Sequence, residues 1–283
     1  MSGQYAILTD TTLCTGCEDC VKGCKEENEL GEDMPRRWKR HIDDLSSTRY
    51  TTIVQKPGSR FVRQFCRHCL EPACASACIV GALQKTPEGA VVYDGDRCMG
   101  CRYCMMACPF GIPRYDWEAA VPYVRKCTFC HHRISKGKAP ACVEACTYDA
   151  TIFGKRDELI AEAHRRIEAN PDRYVNKVFG ETEVGGTSMI YISDISLDFL
   201  AWKPDLGGEP LPDRTWAALS KVPPIFLGMG GLMAGIHWIT ARRVKVAEAE
   251  AASASADAGR DAETGEGLTE ESKEEEKEEE KDQ

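Results

Sequence analysis

Cys98–Pro109 reads Cys-Met-Gly-Cys-Arg-Tyr-Cys-Met-Met-Ala-Cys-Pro. The spacing is C-x2-C-x2-C-x3-C-P, a run with which thiolates ligate an iron–sulfur cluster. Cys98, Cys101 and Cys104 lie close enough along one loop to wrap one corner of a cubane. Cys108 belongs to the helix that follows and points away; in runs of this type the fourth thiolate ligates a neighbouring cluster. Pro109 then turns the chain off that helix. A motif that does not complete its own cluster predicts a partner motif elsewhere.

Three further groups of four are present: Cys14, Cys17, Cys20 and Cys24; Cys66, Cys69, Cys74 and Cys78; Cys127, Cys130, Cys142 and Cys146. Together the four groups use all sixteen cysteines of the 283-residue chain. An even count is also what a disulfide framework gives, but such frameworks belong to small secreted chains. Structural zinc is the better rival, since four-thiolate zinc sites also begin with C-x2-C. Zinc ribbons space two such pairs apart and do not repeat the longer run. The cysteine pattern therefore predicts iron–sulfur clusters.

The residues between the groups fit short elements built round metal. Tyr5–Thr9 alternates and leads as a strand into the first group. Tyr50–Gln55 is rich in β-formers and predicts a strand, and Phe61–Phe65 leads into Cys66. Ile79–Leu83 is expected to pair as a hairpin with Gly89–Asp94, so Cys66–Pro109 reads loop, helix, hairpin, loop, helix. That is the plan of a two-cluster ferredoxin, held together by its metal. Thr151–Phe153 mirrors Ile79–Leu83. The expected fold is thus α+β: a duplicated two-cluster ferredoxin-like unit with one pair (66–109) inserted between the members of the other, over 1–156. His131 and His132 lie in the fourth group's eleven-residue insertion and read as surface or partner-facing, since four thiolates already fill that site. Trp38 with Arg36, Arg37, Lys39 and Arg40 makes a basic patch of the same kind, or a solvated loop.

Residues 157–221 read as an extension packed on the body. Asp157 is placed to cap a helix running to about Ala169, with Leu159, Ile160, Ala163 and Ile167 at helical spacing. Met189–Ser193 predicts a strand. Gly185-Gly186-Thr187 is not a phosphate loop, lacking Lys and a following helix.

Val222–Thr240 is nineteen residues without a charged side chain. A membrane-spanning helix needs about 20. Pro223 and Pro224 suit its first turn, Trp238 suits an interface, and Arg242, Arg243 and Lys245 follow at once. Gly231-x3-Gly235 with Gly228 offers a smooth packing face. His237 reads as a polar residue near the basic end, within reach of a partner's haem or quinone. Residues 248–283 hold fifteen acidic and four basic residues, net −11, so the other 247 carry +2 of the chain's −9. A nearly neutral body gives no reason to expect nucleic acid as a partner, and 241–283 reads as a disordered acidic tail. The opening residues show no signal peptide and no twin-arginine signal. No flavin, pterin, GxGxxG or nickel motif is present, so no catalytic residue is expected.

Four cysteine groups in this order, the eleven-residue insertion, Gly-Gly-Thr and one terminal apolar helix resemble the four-cluster iron–sulfur subunits of membrane-bound respiratory oxidoreductases. The chain is most similar to those of formate dehydrogenase and uptake hydrogenase, over about 5–245. The resemblance implies four 4Fe-4S clusters, ligated by Cys14, Cys17, Cys20 and Cys146; by Cys24, Cys127, Cys130 and Cys142; by Cys66, Cys69, Cys74 and Cys108; and by Cys78, Cys98, Cys101 and Cys104. It implies a relay between a catalytic subunit and an integral membrane subunit carrying haem or quinone. In the family a Pro follows the last cysteine of the second and fourth groups; here Ile79 and Thr147 stand there, and Lys25 follows the first group. The basic residues after the helix place the C-terminus in the cytoplasm and the clusters in the periplasm, with single-pass anchoring in the cytoplasmic membrane. The rival functions are the electron-transfer subunit of a terminal molybdopterin reductase, a soluble polyferredoxin, and a zinc-stabilised interaction module.

Overall fold

The computed structural model describes residues 3–32, 44–56, 58, 60–117, 119–120, 123–202 and 204–279. The basic patch around Trp38 lies outside them. Two units are distinct, Met1–Ala217 and Ala218–Gln283.

The first unit is a string of short elements. Tyr5–Asp10 forms β1, Asp19–Glu27 α1, Thr51–Lys56 β2 and Arg60–Phe65 β3. Then follow α2 (Ala73–Ser76), β4 (Leu83–Lys85), β5 (Val91–Tyr93), α3 (Tyr103–Ala107), β6 (Arg114–Tyr115), β7 (Val124–Arg125), α4 (His131–Ile134) and α5 (Ala141–Glu144). β8 (Thr151–Lys155), α6 (Arg156–Ala169) and β9 (Met189–Ile192) follow, and α7 (Leu211–Leu219) runs across the boundary between the units.

β1 is the centre of a three-stranded sheet, antiparallel to β8 and parallel to β9. Side chains alternate across a strand, and here both faces are used. Ile7, Met189 and Tyr191 face a core that contains Cys20, Cys24, Cys66 and Cys142. Ala6, Leu8, Ile190 and Ile192 face α6, which buries Leu159, Ala163 and Ile167 against them. The helix pins the sheet from behind, and the sheet presents its other side to the thiols. Trp202 closes that side, 1% exposed, with its ring 5.0 Å from Phe110 and 5.9 Å from Tyr191.

Two antiparallel pairings join strands that flank cysteine groups, one a local hairpin and the other long-range. β4, after the second group, pairs with β5, before the third. β8, after the fourth, pairs with β1, before the first.

Four details depart from the sequence reading. Ile79–Val80 turns instead of forming strand, and β4 begins at Leu83; the turn brings the Ala82 N–H to Cys78 Sγ, 3.1 Å. Asp157 does not cap α6. Lys155 holds the N-cap position with no side-chain cap, and Asp157 lies in the first turn, where a carboxylate favours the helix dipole. Phe61–Phe65 is not merely a lead-in but the second strand of a hairpin, Thr51 opposite Phe65. Cys108 lies just past α3 in extended backbone, φ −74°, ψ 113°. Pro109 disfavours the helical region for the residue before it. Lys25 imposes no such limit after Cys24, and α1 runs on to Glu27.

In the second unit, α8 spans Val222–Glu279. Within Leu211–Ala256 lies a stretch long and apolar enough to cross a membrane, none of it buried. The helix continues past Thr240, where a disordered acidic tail was expected. Ala, Glu and Lys are strong helix formers, so the composition that prevents a core does not prevent helix.

Candidate iron–sulfur site

The four cysteine groups share one backbone feature. The residue before the second cysteine has positive φ in each: Gly16 at 80°, His68 at 46°, Gly100 at 75° and Phe129 at 58°. Glycine enters that region at no steric cost, whereas His and Phe do so under strain. The turn aims backbone N–H groups at sulfur. Gly100 N lies 3.4 Å from Cys98 Sγ and Phe129 N 3.3 Å from Cys127 Sγ. At Cys108 three amides, those of Ile112, Phe110 and Gly111, favour the thiolate. Donors of this kind stabilise the charged form of sulfur.

All sixteen cysteines are free thiols, so the disulfide alternative fails. Cys20, Cys24, Cys66, Cys104, Cys130 and Cys142 are buried, while Cys17 is exposed. Burial pushes the Cys20 and Cys74 thiols up to about 12 and those of Cys104 and Cys130 up to about 11. Without a partner these groups are neutral at pH 7; binding a metal releases their protons.

Neighbouring sulfurs reinforce the shifts and show which thiols are gathered. After burial, Cys14 is raised by Cys146 and Cys17, and Cys20 by Cys142, Cys14 and Cys146. Cys24 is raised by Cys142 and Cys130, and Cys127 by Cys24, Cys66, Cys142 and Cys130. Cys69 is raised by Cys108, Cys66 and Cys74. Cys104 is raised by Cys78, Cys101 and Cys98. These gatherings join thiols across groups: Cys14 with Cys146, Cys24 with Cys142 and Cys130, Cys69 with Cys108, and Cys104 with Cys78.

Buried and half-buried cations sit among them. Lys85 donates through Nζ to the carbonyls of His68, Cys69 and Gly89 at 3.0, 2.9 and 2.8 Å; burial lowers its pKa to about 8, against the pull of Cys69 and Cys66. Lys126 donates to Val91 O and Cys127 O. Arg67 reaches Tyr191 Oη and Gln64 Oε1. His68 accepts the Val91 N–H at 2.8 Å through Nδ1, and burial with Lys126 and Lys85 keeps its ring neutral. Arg63 is fully enclosed, and none of its guanidinium nitrogens has a hydrogen-bond partner among the described residues. A buried unpaired charge is costly; anionic sulfur beside it removes the cost. The donor set and these orphaned nitrogens therefore fit a thiolate-ligated iron–sulfur cluster, which carries net negative charge.

The sequence reading missed Arg63, Lys85 and Lys126. A signal existed for Arg63. Alternation in Phe61-Val62-Arg63-Gln64-Phe65 puts it on the face of Phe65, and Phe65 is buried. His132, read as surface or partner-facing, is exposed and pairs with Glu27 at 2.6 Å.

Buried thiol nests strung along one small domain define an iron–sulfur protein with several redox centres. Residues 58–156 match the 4Fe-4S dicluster domain family. A protein of Nitratidesulfovibrio vulgaris is 42% identical over 263 residues, 89% of this chain and 70% of that one. Hydrogenase-2 operon protein HybA of Escherichia coli is 35% identical over 240 residues, 70% of this chain and 72% of that one. The formate dehydrogenase iron-sulfur subunit of Haemophilus influenzae is 32% identical over 266 residues, 84% and 80% of the two chains. The chain belongs to the family of iron–sulfur electron-transfer subunits of respiratory oxidoreductases. It is an electron carrier and not itself the catalytic subunit.

Proposed function

We propose that the chain holds four 4Fe-4S clusters in a line and relays single electrons between a catalytic subunit of formate dehydrogenase or nickel–iron hydrogenase type and a membrane subunit carrying haem or quinone. The ligands are Cys14, Cys17, Cys20 and Cys146; Cys24, Cys127, Cys130 and Cys142; Cys66, Cys69, Cys74 and Cys108; Cys78, Cys98, Cys101 and Cys104. Bound there, the clusters would supply one-electron carriers with potentials set by hydrogen bonds, charge and exposure.

One observation carries the reading: the gatherings adjoin one another in order. Cys20 feels Cys142, Cys127 feels Cys66, and Cys74 feels Cys104. These electrostatic neighbours link the first set to the second, the second to the third and the third to the fourth. The chain's own part is to insulate the line with apolar side chains and to offset its charge with Arg63, Lys85 and Lys126. Zinc suits the site less well. Zinc ribbons space two C-x2-C pairs apart and do not repeat the C-x2-C-x2-C-x3-C run seen here.

The β4–β5 and β8–β1 pairings support a duplicated two-cluster unit over 1–156, with 66–109 inserted. Val222–Thr240 anchors the chain as a single pass in the cytoplasmic membrane. Arg242, Arg243 and Lys245 hold that end on the cytoplasmic side and leave the clusters in the periplasm.

Purification from solubilised membranes, followed by metal analysis of what comes with the chain, tests the assignment. Molybdenum or tungsten in the complex indicates formate chemistry and nickel indicates hydrogenase. Recovery of the chain alone from the soluble fraction contradicts the proposal.

A further inference from the structure

Arg63 occupies the junction of the first two thiol sets. It lines a small cavity together with Cys14, Cys17, Cys20 and Cys146. The same guanidinium acts on Cys24 and Cys142, of the second set. One face of it stacks on the Phe65 ring, 3.8 Å from the centroid. The strand that carries it is fixed by pairing with β2, Ile53 opposite Arg63. Tyr191 Oη donates to the Arg63 carbonyl at 3.1 Å. The backbone and one face of the side chain are therefore committed to the fold, while the nitrogens have no hydrogen-bond partner among the described residues.

We propose that Arg63 sets the reduction potentials of the first and second clusters together, as one positive charge enclosed between their ligands with no hydrogen-bond partner among the described residues. The inference rests on the ligation given above. Adding one electron to a thiolate-ligated cluster adds one negative charge beside the guanidinium. A fixed cation there favours the reduced state, and enclosure away from water keeps the effect large. Arginine suits the position because it stays charged when buried. The third and fourth sets lie beyond it and have their own surroundings, Lys85 and Lys126 at the third and the Tyr93 hydroxyl beside Cys98 at the fourth.

The test is an EPR-monitored potentiometric titration of the full chain with Arg63→Lys, Arg63→Gln and Arg63→Met, each checked first for iron content. In the Gln and Met forms two of the one-electron transitions should move down together by at least about tenfold in equilibrium constant, about 59 mV for a one-electron couple. The other two should stay. The Lys form should stay near wild type. Loss of iron in the Gln and Met forms with retention in the Lys form also supports the charge. The proposal is overturned if fully loaded Gln and Met forms titrate like wild type, if the Lys form moves as far as they do, or if all three lose their iron. A wild-type chain with fewer than four transitions would instead contradict the ligation, a result distinct from any of these.

Discussion

Replacing Cys24 with Ser should destroy the cluster whose other ligands lie about a hundred residues away, and spare the one whose ligands surround it in sequence. Cys24 interacts electrostatically with Cys142 and Cys130 more strongly than with Cys20 of its own group and sits on the helix that begins after the first group's loop. Loss of its thiolate leaves Cys127, Cys130 and Cys142 one ligand short. About four of about sixteen irons should go, and one reduction transition with them. The assignment is checked by phenocopy. Cys24→Ser and Cys130→Ser should remove the same transition, while Cys17→Ser and Cys146→Ser should share a different one. A ligand read from sequence proximity alone predicts the opposite, with Cys24→Ser matching Cys17→Ser. That outcome would refute the crossed arrangement. The burial of these thiols makes the effect large, because a cavity shaped for a cluster has no other way to hold its charge-compensating cations.

Ending the chain at Lys221 should move it from the membrane fraction almost wholly into the soluble fraction while its iron stays. The segment removed begins with Val222–Thr240, in which Ile225, Phe226, Leu227, Met229, Leu232, Met233, Ile236, Trp238 and Ile239 are all exposed. An apolar surface of that extent is unfavourable in water. A lipid bilayer accommodates it, and nineteen residues of helix span about 29 Å, close to the hydrocarbon thickness of about 30 Å. The sixteen cysteines all precede it. Expressed without partner subunits, the full chain should resist a high-salt wash of the membranes. A full chain that washes free, or a truncated chain that stays in the pellet, would contradict anchoring by this helix.

The cysteine spacing was enough to read the chemistry, because C-x2-C-x2-C-x3-C is a local constraint that few other sites share. It was also enough to anticipate β1, β2, β5, β8 and β9, whose β-branched and aromatic residues alternate or cluster between turns. The hairpin partner of β2 was missed because Arg60, Arg63 and Gln64 dilute the apolar signal of that strand. The parallel pairing of β9 with β1 joins residues about 180 positions apart, and no local pattern encodes it. Ile79–Leu83 misled because Ile and Val favour strand, whereas a thiol four residues back claims the Ala82 amide and turns the chain. The acidic end misled in the other direction: too polar for a core, it is still rich in helix formers. At the site, the thiols were legible and the buried cations were not. A cation next to a cysteine in sequence resembles any surface Lys or Arg until the fold encloses it, as it does Arg63 between β2 and the thiols.

Iron and acid-labile sulfide analysis of the anaerobically purified full chain tests the central claim most directly. About sixteen irons and as many sulfides per chain are expected, four of each for every set of thiolates. About half that number, or zinc in place of iron, would contradict a four-cluster relay.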